Sequence, residues 1–69
     1  MSKQEAYETA RKAELKRILN YIEDAAQSGE YNRRLIVSNR EVIDELNKSG
    51  FNCGLIDEEM SVWHIDWSN

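Results

Sequence analysis

Apolar residues recur every three or four positions over the first third of the chain, which is typical of an amphipathic helix. The stripe consists of Tyr7, Leu15, Ile18, Ile22 and Ala25. Gly29 follows, and glycine is favoured in the left-handed conformation just past a helix end. The pattern therefore predicts one long helix that starts at Ser2 and stops near Gln27 or Ser28.

The segment 31–37 alternates between two faces, as a half-buried strand does. One face carries Tyr31, Leu35 and Val37, and the other carries Asn32, Arg34 and Ile36. Arg33 would then lie in line with the apolar face. This position is tolerable near a sheet edge, where the stem packs and the guanidinium reaches water.

A second helix is predicted directly after this strand. The sequence Ser38-Asn-Arg-Glu41 has the form of a capping box, in which a hydroxyl or amide at the helix start is followed three residues later by a glutamate. Val42, Ile43 and Leu46 would point inward, and a glycine at position 50 would end the helix.

The last third of the chain alternates twice more, with an acidic turn between the two runs. The first run places Phe51, Cys53 and Leu55 on one face, the turn is Asp57-Glu-Glu59, and the second run places Trp63, Ile65 and Trp67 on one face. This is the pattern of a hairpin. We expect a single α+β domain over residues 1–69, ordered helix, strand, helix, strand, strand. Its three-stranded mixed sheet would have the last strand central and both helices on one face.

The composition of the chain disfavours several classes of function. The 69 residues carry a net charge of −4, which disfavours binding to nucleic-acid phosphates. One cysteine and one histidine predict no disulfide, metal site or cofactor. There is no apolar run that could span a bilayer, and the first residues lack the layout of a secretory signal. We therefore expect a cytoplasmic protein without membrane contact.

Cys53, His64 and Asp66 are the one set that resembles a nucleophile, a base and an orienting acid. If the apolar faces of the hairpin match, Cys53 lies on the face opposite to His64, and the two cannot meet. We therefore predict no catalytic residue and no enzyme activity.

The acidic turn at 57–59 matches no calcium-loop pattern, so we interpret it as a solvated turn.

The sheet face away from the helices would combine apolar and polar side chains without cover. The residues expected to bind protein there are Arg34, Ile36, Ile56, Val62 and His64. A mixed face of this kind is typical of a contact surface. A domain of this length also has a small core, so we expect burial against a second copy, as a homo-oligomer, or against another protein.

An alternative use of the same region is recognition of a phosphate-bearing ligand such as a nucleotide. The residues that would form this site are Tyr31, Arg33, Arg34 and Arg40. Arginines can bind phosphate oxygens with paired hydrogen bonds, and an aromatic ring can stack on a base. The sequence alone leaves this alternative open.

The chain resembles small proteins encoded by bacteriophages. The resemblance lies in a Gly29-Glu-Tyr31 entry into a strand, a Gly50-Phe51 end to the short helix, and the closing strand Trp63-His-Ile-Asp-Trp67. It implies a non-enzymatic protein of the host cytoplasm that inhibits a host protein, for example in defence, by occupying its surface. It also admits an oligomeric sponge for a nucleotide signal, or a virion or assembly accessory.

Overall fold

The fold is seen in a computed structural model that describes residues 1–68. Its elements are α1 (Lys3–Gln27), β1 (Asn32–Ile36), α2 (Arg40–Lys48), β2 (Asn52–Asp57) and β3 (Val62–Asp66). The predicted α+β class and element order are confirmed. Asn69, the last residue of the predicted domain, lies outside the described residues.

Helix α1 begins and ends as its sequence predicts. The Ser2 hydroxyl accepts a hydrogen bond from the Glu5 backbone N–H at 3.1 Å, and the Glu5 carboxylate accepts one from the Ser2 N–H at 3.4 Å. Gly29 follows the helix with a φ of 86°. Ile18 and Ile22 are buried, whereas Tyr7 is 47% exposed. The first turns of α1 therefore extend beyond the core.

Helix α2 is capped differently from the prediction. Asn39 is the N-cap, and its side-chain oxygen accepts the Glu41 backbone N–H at 2.9 Å. The capping box predicted for Ser38 and Glu41 is therefore wrong, because the helix begins one residue later than that box requires. Gly50, with a φ of 98°, follows the end of the helix as predicted.

The three strands form one sheet in the order β1-β3-β2, so the last strand is central as predicted. Both neighbouring pairs are antiparallel. The expected mixed pairing does not occur, because β3 lies between β1 and β2 and pairs antiparallel with each. The chain from β1 through α2 to β2 is thus a β-α-β unit split by a third strand.

The core lies between the two helices and one face of the sheet. Ile65 and Trp63 on β3 are buried in one cluster with Ile18 of α1 and Leu46 of α2. Both helices therefore cover the same face, as predicted. Within the described part of the chain, no helix is both long enough and apolar enough to cross a membrane.

Trp67 joins the end of β3 to the residues that precede β1 and β2 at the same end of the sheet. Its indole N–H donates to the Glu30 carbonyl at 3.0 Å, and its ring meets Phe51 edge to face with centroids 6.4 Å apart. The backbone N–H of Trp67 also donates to the Tyr31 carbonyl at 2.9 Å. These contacts hold Trp67 against the residues that lead into β1 and β2.

Candidate functional site

The candidate site is the sheet face that the helices leave open, which we call the open face. It carries residues 32, 34 and 36 of β1, 62, 64 and 66 of β3, and 52 and 54 of β2. Ile36 pairs with Val62 across β1 and β3. Ile36 is 57% exposed and Val62 is half-buried, so this aliphatic pair is partly open to solvent.

A β-bulge lies at this end of the open face and sets Asp57, rather than Ile56, opposite Val62. Leu55 pairs with Trp63, but Asp57 pairs with Val62, so Ile56 is the extra residue on β2. Ile56 is 49% exposed and directly precedes Asp57, the β2 partner of Val62. The three aliphatic residues predicted to bind protein therefore lie at the same end of the sheet. Nothing in the sequence signalled the bulge itself.

The next row of the open face carries a positive charge, and its surface is lower at the β2 side, where a glycine stands. Arg34 pairs with His64, which in turn pairs with Gly54 on β2. Gly54 has no side chain, and a Cβ placed there would meet no atom within 4 Å. His64 is therefore open to solvent on its β2 side. Among residues 1–68, Arg34 forms no ion pair.

Asp66 gives the far row of the open face a negative charge. Its carboxylate accepts the Ser68 hydroxyl at 2.6 Å and the Ser68 backbone N–H at 2.7 Å. These two hydrogen bonds, with a smaller contribution from His64, lower the pKa of Asp66. The open face thus runs from a row with Asp66 through a row with Arg34 to a row in which Ile36 and Val62 lie beside Asp57.

The residues that resembled a catalytic set are separated by the sheet. Cys53 pairs with Ile65 on the helix-covered face, whereas His64 lies on the open face, as the matched hairpin register predicts. Partial burial raises the pKa of the Cys53 thiol, which keeps it protonated and weakly nucleophilic at neutral pH.

In the acidic turn, the Asp57 carboxylate accepts the Met60 N–H at 3.2 Å.

The residues of the alternative ligand site do not converge within one copy of the chain. Arg33 and Arg34 lie on opposite faces of β1, and Arg33 pairs with Glu30 at 3.2 Å. Arg40 lies beyond the other end of β1 from Tyr31, with its guanidinium 5.8 Å from the Trp63 ring centroid. A nucleotide site built from these residues would need a second copy.

A cleft of about 420 Å³ lies where α1 approaches the start of α2, and sequence reasoning missed it. The Asn39 backbone N–H donates to Glu14 at 3.0 Å, and its side-chain amide donates to the Tyr7 hydroxyl at 3.0 Å. Arg11 pairs with Glu41 at 3.6 Å. Because these groups bind one another, they form a polar contact between α1 and the start of α2. Its walls are Tyr7, Ala10, Arg11, Glu14, Ser38, Asn39 and Arg40.

Comparison of the chain with protein-family models, with curated proteins and with solved structures finds no match. The open face therefore has to be interpreted from its own chemistry.

Proposed function

We propose that this protein is a non-enzymatic binding protein that covers the surface of a partner protein with its open face. The observation that carries the proposal is the pairing of Ile36 with Val62 on a face without helices, with the exposed Ile56 at the bulge at the same end of the sheet. Single exposed aliphatic residues are common on protein surfaces, but adjacent ones on one face mark contact sites.

The charges beside this aliphatic end specify the chemistry of the partner. Arg34 contributes a cation without an ion-pair partner in the part of the chain described, within a protein of net charge −4. A partner surface with an apolar centre and an acidic group beside it would complement this arrangement. The resemblance to small phage proteins supports a bacterial host protein as the partner, with inhibition by steric cover as the effect.

Site-specific photo-crosslinking in bacterial cells tests this function. A benzoyl-phenylalanine replaces Ile36 on the open face in one variant and Leu19, 40% exposed on α1, in the control variant. Both positions hold exposed aliphatic residues, so the two variants differ in the face that is probed. We expect a crosslinked host protein from position 36 and none from position 19.

Two results would overturn the proposal. Equal crosslinking from both positions would show adhesion without a defined surface. Crosslinks from position 36 to another copy of this chain alone would show that the open face serves self-association, as in an assembly component.

A further inference from the structure

The outer edge of β1 is an unpaired strand edge. The Val37 N–H donates to the Ser61 carbonyl, and the Trp67 N–H donates to the Tyr31 carbonyl, so the backbone of the odd-numbered residues faces β3. By alternation, the N–H and C=O groups of Asn32, Arg34 and Ile36 point away from the sheet. In the described range 1–68, no loop or helix backbone hydrogen-bonds to them.

The β2 edge offers a poorer template for strand pairing. The bulge at Ile56 breaks the regular register one residue before the strand ends, and Gly54 adds no side chain to pack. The turn after β2 is acidic, in a chain that is already negative overall. Strand β1, by contrast, pairs with β3 without a bulge over all five residues from Asn32 to Ile36, so its outer edge is regular.

Charge sets the kind of strand that the β1 edge can accept. A second copy of β1 centred on this edge would place Arg34 against Arg34, which is repulsive. An acidic residue at that position would instead form a cross-strand ion pair on the open face. The exposed Ile36, two residues along the same face, would pair with an aliphatic side chain.

We propose that an extended segment of the partner adds to the β1 edge as a fourth, antiparallel strand, with an aliphatic residue opposite Ile36 and an acidic residue opposite Arg34. This inference deepens the proposed function and rests on it. Main-chain hydrogen bonds from Asn32, Arg34 and Ile36 supply the affinity, and the side-chain pairs select the sequence.

A synthetic peptide tests strand addition directly. The probe is a blocked peptide containing Val-Thr-Glu-Glu-Thr, which in antiparallel register sets valine opposite Ile36 and the first glutamate opposite Arg34. On isotope-labelled protein, we expect NMR shifts and slowed amide exchange at Asn32, Arg34 and Ile36. The exchange of these three amides reports the new hydrogen bonds specifically.

Two control peptides separate strand addition from general adhesion. Methylation of the backbone nitrogen at the valine and the first glutamate removes the donors that face β1, so this peptide is expected not to slow exchange. Replacing the first glutamate by lysine is expected to weaken binding by about fivefold or more, the factor for about 1 kcal/mol of cross-strand charge pairing.

Charge reversal in the protein completes the test. Arg34→Glu is expected to restore binding of the lysine peptide, whereas Lys16→Glu on the exposed side of α1 makes the same charge change and is expected not to. Equal shifts with the methylated peptide, or no protection by the glutamate peptide, would overturn strand addition. If crosslinking at position 36 still captures a host protein in that case, open-face binding stands without a fourth strand.

Discussion

Ile36 and Val62 lie opposite each other on β1 and β3, and Ile36 remains 57% exposed. Ile65, three residues further along β3, is fully buried under the helices. Isoleucine thus faces solvent in β1 and packs in the core in β3. This difference predicts unequal losses of stability from the same substitution at the two positions.

We expect Ile65→Ala to lower the free energy of unfolding by about 2–5 kcal/mol, because it removes buried methyl groups and leaves a cavity. Ile36→Ala should change it by no more than about 0.5 kcal/mol, since its side chain is largely in water already. Urea unfolding followed by tryptophan fluorescence measures both values. Equal losses would contradict the assignment of the two faces.

Gly54→Val is expected to stabilise the fold while it blocks the open face. Gly54 has no positive φ and has space for a Cβ, and valine favours strands, so we expect a gain of about 0.5–1 kcal/mol. The new side chain would stand beside His64 and obstruct an approaching partner. Thermal unfolding measures the gain and co-purification measures the partner. A stabilised variant that keeps its partner would show that binding does not use this row.

The N-cap of α2 can be tested with adjacent substitutions. Asn39→Ala should lower stability by about 1 kcal/mol, because the Glu41 N–H loses its acceptor. Ser38→Ala should have little effect, since Ser38 is not the cap. Thermal unfolding of both variants decides between them. A larger loss for Ser38→Ala would support the capping box that the sequence suggested.

Ser68→Ala is expected to raise the pKa of Asp66 by removing the hydroxyl hydrogen bond, the largest cause of its lowered value. A carboxyl whose pKa is lower folded than unfolded contributes stability above its unfolded pKa, and that stability is lost as the pH falls through the folded pKa. The variant should therefore lose less stability on acidification. An NMR titration of the Asp66 carboxyl measures the pKa, and an unchanged value would contradict the stated cause.

Local patterns predicted most of this fold. Gly29 and Gly50 mark the helix ends through left-handed backbone, and strict alternation places Trp63 and Ile65 on the core face. Matching apolar faces was enough to predict the hairpin register that separates Cys53 from His64. These signals are local, or need only two adjacent strands, so they can be inferred from the chain.

The features that were missed depend on contacts between distant residues. Asn39 forms hydrogen bonds with Glu14 and Tyr7, which are 25 and 32 positions away in sequence. Asn39 rather than Ser38 is therefore the cap because of contacts that exist only when the two helices pack together. The bulge at Ile56 arises where β2 pairs with β3 near the turn. There is no glycine at that position that would have indicated a bulge in the sequence. The open face was predicted from alternation, but alternation places Ile56 opposite Val62, whereas the bulge sets Asp57 there.

The most direct test of the open face as a binding surface is native mass spectrometry of tagged protein recovered from bacterial lysate. The double variant Ile36→Asp with Val62→Asp is compared with the unaltered chain and with Leu19→Asp, after circular dichroism has shown that all three fold. We predict a bound host protein on the unaltered chain and on Leu19→Asp, and none on the double variant. A double variant that keeps the same partner, or an unaltered chain that carries only a small molecule or copies of itself, would contradict the account.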